Sequence, residues 1–256
     1  MQPKTQPMYT LYYWPIPGRG VFVRSLFAFT NTPLKLAPVE EVALLKDAPF
    51  AAQPVPLRAP PILIDHGAGG FGTSQLSAIG TYAAKRLDLL PEDDLAKQTL
   101  ALKVLSDAND VLAELWRANA DFKLNGEYVL WDQPAWDEWR DTRFVRWLEI
   151  WEATARQFGC TSEQGYLLGT PHATLADLAS WSLWATMARC LPALAPALEE
   201  HGPTVVALCR RLEAESDGLR ELARRDAEEW GELYCGGMIE KSIRQVIAGG
   251  RDGVAR

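Results

Sequence analysis

The chain changes character after Leu90-Pro91-Glu92-Asp93. Before that point, short β-type and helix-type runs are broken by proline and glycine; after it, apolar residues recur at helical spacing almost to the C-terminus. A chain divided in this way is expected to fold as a small α/β unit over residues 1–90 and an all-helical unit over residues 91–256. With 256 residues, 48% of them hydrophobic, it is long and apolar enough to bury a sizeable core.

Tyr9–Trp14 is rich in aromatic residues and reads as a strand stopped by Pro15. Gly18 releases the chain into a helix over Arg19–Thr30, with Val21, Leu26, Phe27 and Phe29 among its apolar positions. Leu34–Val39 is a second short strand, and Val42–Lys46 is a short helix or a loop. Ala51–Pro61 carries Pro54, Pro56, Pro60 and Pro61, which remove N–H donors and restrict their predecessors, so no regular element is expected there. Pro61–Asp65 then reads as a strand, His66–Gly72 as a glycine-rich turn and Gln75–Leu87 as a helix. This order builds a small mixed sheet with flanking helices.

Downstream, residues 94–120 show helical periodicity through Leu100, Leu105, Val111, Leu112 and Leu115. Trp136, Trp139, Phe144, Trp147 and Trp151 follow on one or two adjacent faces of the next helix, and their size assigns them to the core. Thr174-Leu175-Ala176-Asp177 fits a capping box ahead of the apolar run Leu178–Leu191. Further helices are expected at 203–214, 217–230 and 234–247, with Gly249–Arg256 as a frayed tail.

The balance of 26 Lys+Arg against 33 Asp+Glu gives a net charge of -7, which argues against nucleic acid as a partner. No run approaches a membrane span, and Met1–Pro7 lacks the apolar core of a signal peptide, so a cytoplasmic location is expected. Cys160, Cys190, Cys209 and Cys235 are scattered and read as reduced thiols in the core or at the surface. His66, His172 and His201 form no ligand or triad spacing and read as surface loop residues, so no metal is expected.

The densest chemistry lies in Tyr12-Tyr13-Trp14-Pro15-Ile16-Pro17-Gly18-Arg19-Gly20, followed by Val21-Phe22-Val23-Arg24. A phenol, open backbone and an arginine meet where a strand gives way to a helix, a common place for small ligands in α/β proteins. Tyr13-Trp14-Pro15-Ile16-Pro17-Gly18-Arg19, with Arg24 in register, resembles the first-strand signature of tyrosine-type cytosolic glutathione transferases of the sigma, pi and mu classes. Pro61-Ile62-Leu63-Ile64-Asp65 is similar to that family's cis-proline strand. Gln75-Leu76-Ser77-Ala78-Ile79 with Tyr82-Ala83-Ala84-Lys85 is similar to its Q-S-x-A-I helix, and Leu167-Leu168-Gly169 before Thr174–Asp177 to its helical-domain folding motif.

The resemblance implies a thioredoxin-like glutathione-binding domain, then an all-α domain on the electrophile side. It further implies attack of the glutathione thiolate on a hydrophobic electrophile, in a detoxifying homodimer. Tyr13 matches the tyrosine that stabilises the thiolate, while strand alternation turns Tyr12 to the opposite face. The matching binding residues are Arg19, Lys46, Pro60, Pro61, Gln75, Leu76 and Ser77, with Asp107 or Asp110 reaching a partner site. Trp14, Ile16, Trp116 and the C-terminal helices would wall the electrophile pocket.

Two departures bear on binding. The family pairs the backbone of the residue before the cis-proline with the cysteinyl unit. If Pro61 is the cis residue, that position is Pro60, which has no N–H to donate; if Pro60 is, Ala59 keeps both bonds and Pro61 interrupts the strand. Leu76 stands where the family's serine hydroxyl meets the γ-glutamyl carboxylate, leaving that task to backbone N–H groups and to Ser74 or Ser77. The alternative is a non-catalytic binding or scaffold protein with weakened glutathione binding.

Overall fold

The computed structural model describes residues 8–116 and 130–252. The reading of Met1–Pro7, the stretch 117–120 of the expected helix and the last residues of the expected tail lie outside the described residues.

Strand β1 (Tyr9–Tyr12) enters helix α1 (Gly18–Phe29), which buries Val21, Phe22, Val23, Leu26 and Phe27. Two of these are β-branched, so burial against the sheet overrides a modest helix propensity. Strand β2 (Lys35–Leu36) and helix α2 (Val39–Asp47) follow, settling the Val42–Lys46 segment as a helix. The proline-rich stretch contains only a single 3₁₀ turn, Phe50–Ala52, before β3 (Ile62–Asp65). β4 (Phe71–Ser74) begins inside the expected turn, and α3 (Leu76–Arg86) completes the unit. The sheet order is β2-β1-β3-β4, with β1 parallel to β2 and antiparallel to β3, and β3 antiparallel to β4.

Buried Asp65 ties β3 to α3: its carboxylate accepts the Tyr82 hydroxyl at 2.8 Å and pairs with Arg86 at 3.1 Å. Helix α4 (Leu95–Trp116) buries Ala101, Val104, Leu105, Ala108, Val111, Leu112 and Leu115, the three-and-four spacing of one helical face. It packs against α3 and against α7 (Leu175–Ser180).

The tryptophan-rich segment is one continuous helix in three parts: α5 (Gln133–Glu138), a π-helical stretch Trp139–Phe144, and α6 (Val145–Phe158). Trp136, Trp139, Phe144 and Trp151 are buried, as their size suggested. Glu114 of α4 collects the polar edge of this surface, accepting the indole N–H of Trp139 at 3.3 Å and of Trp147 at 3.2 Å, plus Arg143 Nε at 3.1 Å.

A second π-helical stretch, Trp181–Ala185, joins α7 to α8 (Thr186–Cys190). Then come α9 (Ala195–His201), α10 (Pro203–Glu215), α11 (Asp217–Trp230) and α12 (Gly237–Asp252). Two expectations are corrected here. The tail assigned to 249–252 continues α12, and His201 ends a helix half-buried rather than lying in a surface loop. All four cysteines are buried and free. The architecture is a thioredoxin-like sheet domain joined to an all-helical domain.

Candidate functional site

The sheet register assembles the candidate site. Tyr12 of β1 pairs with Ile62 of β3, and Ile62 with Ser74 of β4. The next residues outward, Tyr13, Pro61 and Gln75, therefore follow one another across the same end of the sheet. The Pro60–Pro61 peptide is cis, the first of the two alternatives, so the backbone beside Tyr13 offers a carbonyl at Pro60 but no N–H. Gln75 has φ 72° and ψ 128°, a conformation that costs a residue with a side chain about 1–3 kcal/mol. No side chain caps α3 at this point, leaving its first N–H groups open to an anion.

Tyr13 is buried, and its hydroxyl oxygen accepts the backbone N–H of Arg19 at 2.9 Å. No acceptor for the phenolic proton exists among the described residues. Burial pushes the phenol above its ordinary value of 10.0, against the opposing pull of the Arg19 and Gly20 N–H groups and of the Arg19 and Arg24 charges. Tyr13 is therefore a protonated donor at neutral pH. The local sequence makes this packing possible, since Gly18 takes φ +26° and a Cβ on Gly20 would lie 2.3 Å from Tyr13 Cδ1.

The other sequence-predicted residues sit less uniformly. The Arg19 guanidinium turns to α4, donating to Asn109 Oδ1 at 2.9 Å and lying 5.2 Å from the Trp116 ring centroid, so only its backbone touches the phenol. Leu76 is buried in the core, and the Ser77 hydroxyl lies 3.2 Å from that of Ser106 on α4. Lys46 pairs with Asp47 at 3.1 Å at the end of α2. On α4, Asp107 pairs with Lys103 at 2.5 Å, while Asp110 is exposed and has no ion pair among the described residues. Partial desolvation by its neighbours, with the nearby Asp107 and Glu114 charges, holds the Asp110 carboxyl above its ordinary range.

Tyr13 also lines a cavity of about 190 Å³ with Trp14, Pro15, Arg24, Arg225 and Trp230. Trp14 was expected there; Ile16 and Trp116 do not line it, and Trp116 instead packs at Gly18 beside the Tyr13 hydroxyl. Arg225 and Trp230 were not expected. They lie on α11, far along the chain, and only the packing of α11 on α1 brings them to the first strand.

Fold and site together define a two-domain protein in which a thioredoxin-like sheet presents a phenol at a strand-to-helix turn beside a helical domain. The family profile for the glutathione S-transferase C-terminal domain matches residues 100–246, more than half of the chain. The chain belongs to the glutathione S-transferase family. A search of curated protein sequences finds no match.

Among solved structures, the fold is similar to the pi-class glutathione S-transferase of Onchocerca volvulus, with a TM-score of 0.65 at 17% identity, covering 87% of this chain and 96% of that one. The sigma-class enzyme of Fasciola hepatica gives 0.64 at 16% identity, covering 85% and 96%. A glutathione transferase family member from Pseudomonas fluorescens Pf-5, solved with two glutathione bound, gives 0.61 at 19% identity, covering 86% and 95%. No helix of the described residues is long and apolar enough to cross a membrane.

Proposed function

We propose that this protein is a tyrosine-type glutathione transferase in which the Tyr13 hydroxyl donates a hydrogen bond to the glutathione thiolate and stabilises it for attack on an apolar electrophile. One observation carries the reading. The Tyr13 oxygen already accepts an N–H from Arg19, yet its own proton has no acceptor among the described residues, in line with the Pro60 carbonyl and the uncapped start of α3. A thiol with a pKa of about 8.5 is only a few per cent ionised at neutral pH. A hydrogen bond donated to sulfur stabilises the anion and raises that fraction.

In this reading the cysteinyl unit of glutathione pairs with the Pro60 carbonyl next to Pro61, with one backbone bond fewer than the family uses. The γ-glutamyl carboxylate meets the N–H groups of Leu76 and Ser77, beside Gln75. Lys46 turns from Asp47 to the glycyl carboxylate, and the Arg19 backbone holds the phenol. In a homodimer, Asp110 is better placed than Asp107 to meet a cation from the partner's site, since Asp107 is already paired. The first domain ends at Leu90, and the protein works in cytoplasmic detoxification.

The test is calorimetry with millimolar glutathione, then conjugation of 1-chloro-2,4-dinitrobenzene by wild type and Tyr13→Phe. Losing a hydrogen bond to an anion lowers kcat about 10–100-fold. Equal rates would remove Tyr13 from the mechanism. A second reading, a non-catalytic binding protein, is favoured by the burial of Leu76 and by the Ser77 hydroxyl turned to Ser106. Absence of glutathione binding would decide for it, and a monomeric mass in solution would refute the dimer.

A further inference from the structure

Two side chains of α4 hold Arg19 at the site. Its Nε donates to Asn109 Oδ1 at 2.9 Å, and its guanidinium lies 5.2 Å from the Trp116 ring centroid. Asn109 and Trp116 stand two helical turns apart, so one face of α4 meets Arg19. The backbone N–H of the same Arg19 donates to the Tyr13 hydroxyl at 2.9 Å. A single residue thus links the phenol to the helical domain.

The strongest acceptor for a guanidinium is a carboxylate. Asn109 is instead neutral, and because a guanidinium has donors only, the carbonyl end of the amide faces it. Arg19 forms no ion pair among the described residues. On α4, Asp107 pairs with Lys103 at 2.5 Å, Glu114 takes Arg143 and the indole N–H groups of Trp139 and Trp147, and Asp110 is exposed. The other cation that acts on Tyr13 is Arg24, which Asp226 holds at 2.5 Å, and the buried Tyr234 phenol also interacts with Tyr13. A carboxylate at position 109 would hold Arg19 equally well but would oppose its charge. We infer, resting on the transferase reading above, that Asn109 is a positioning residue: its neutral carbonyl clamps the Arg19 guanidinium near the phenol without opposing its charge, which then bears in full on the thiolate.

Two variants separate charge from clamping. Asn109→Asp has nearly the same shape and keeps an acceptor for Arg19 but adds an opposing charge, whereas Asn109→Ala releases the guanidinium into solvent. The pKa of the bound glutathione thiol is read from the ultraviolet absorbance of its thiolate against pH, and from the pH profile of kcat/KM with 1-chloro-2,4-dinitrobenzene. Asn109→Asp is expected to raise this pKa by about 1 unit, the effect of one nearby charge. On the acid side of the profile kcat/KM then falls about tenfold, in step with the thiolate fraction. Asn109→Ala is expected to raise the pKa by less. An asparagine that only supports the fold predicts the reverse order, with Asn109→Asp near wild type and Asn109→Ala impaired. That order overturns the inference, as does an unchanged pKa in either variant.

If wild type does not bind glutathione, the transferase reading fails and the phenol carries the test. Protein labelled with 3-fluorotyrosine is titrated by fluorine NMR, with the position 13 resonance assigned by its loss in Tyr13→Phe. The Arg19 charge favours the ionised phenol, so both Asn109 variants are expected to raise the midpoint of that resonance. An unchanged midpoint overturns the inference.

Discussion

A phenol serves as donor to a thiolate only while it keeps its proton, and the burial of Tyr13 favours the protonated form. With the folded value raised above 10.0, the donor is fully present below pH 10 and is lost only as pH rises through the raised value. The pH profile of kcat/KM is therefore expected to climb with thiol ionisation and to show no phenol-linked fall below pH 10. An alkaline fall centred near pH 9 would contradict this. Placement of the ring depends on its neighbour, because a Cβ at position 20 would lie 2.3 Å from Tyr13 Cδ1. Gly20→Ala must displace the ring and break its 2.9 Å bond to the Arg19 N–H. Conjugation is expected to drop to the level of Tyr13→Phe, with a stability loss of about 1–3 kcal/mol from overpacking. Steady-state rates and urea unfolding measure the two effects.

At the scale of elements, the capping box before α7 has the clearest energetic consequence. Asp177 is fully buried and accepts the Leu167 N–H at 2.7 Å, the Thr174 N–H at 2.8 Å and the Thr174 hydroxyl at 2.9 Å. Asp177→Ala leaves these donors without an acceptor in a dry interior and is expected to cost about 3 kcal/mol or more, read from the urea midpoint at unchanged m. Asp177→Asn, which retains an acceptor oxygen, should cost less. This element was legible in the sequence because its signature spans four consecutive residues. The strand and helix order of the first unit was legible for a similar reason: proline and glycine mark the breaks, and aromatic or apolar spacing marks the runs. Helix α9 was not, because it follows Pro192 closely, carries Pro196 in its first turn and buries only Leu198. Nor do the π-helical stretches have a local signal. The first lies where Trp139, Arg143 and Trp147 all converge on Glu114, a relation between two helices that no spacing within one can show.

The whole molecule divides the candidate site in the same way. Tyr13, Arg19, Pro61 and Gln75 were legible because each lies in a short motif, and the sheet register brings three of them to one end of the sheet. The wall contributed by α11 was hidden, since its contacts join residues roughly 200 positions apart. Arg24 and Asp226 anchor that wall: their side chains are only 9% and 6% exposed, and they meet at 2.5 Å between α1 and α11. Desolvation makes such a pair of little net benefit compared with an apolar pair of similar shape, but removing one partner strands the other charge in the interior. Asp226→Ala is therefore expected to destabilise the fold by about 3–5 kcal/mol, and the double variant Arg24→Met with Asp226→Leu to regain most of it. Because Arg24 also lines the cavity shared by Tyr13 and Trp230, the two variants separate anchoring from charge. If α11 is held by packing, the double variant recovers both the urea midpoint and the rate of conjugation. If the Arg24–Asp226 charges themselves shape the cavity, stability returns while the rate of conjugation does not.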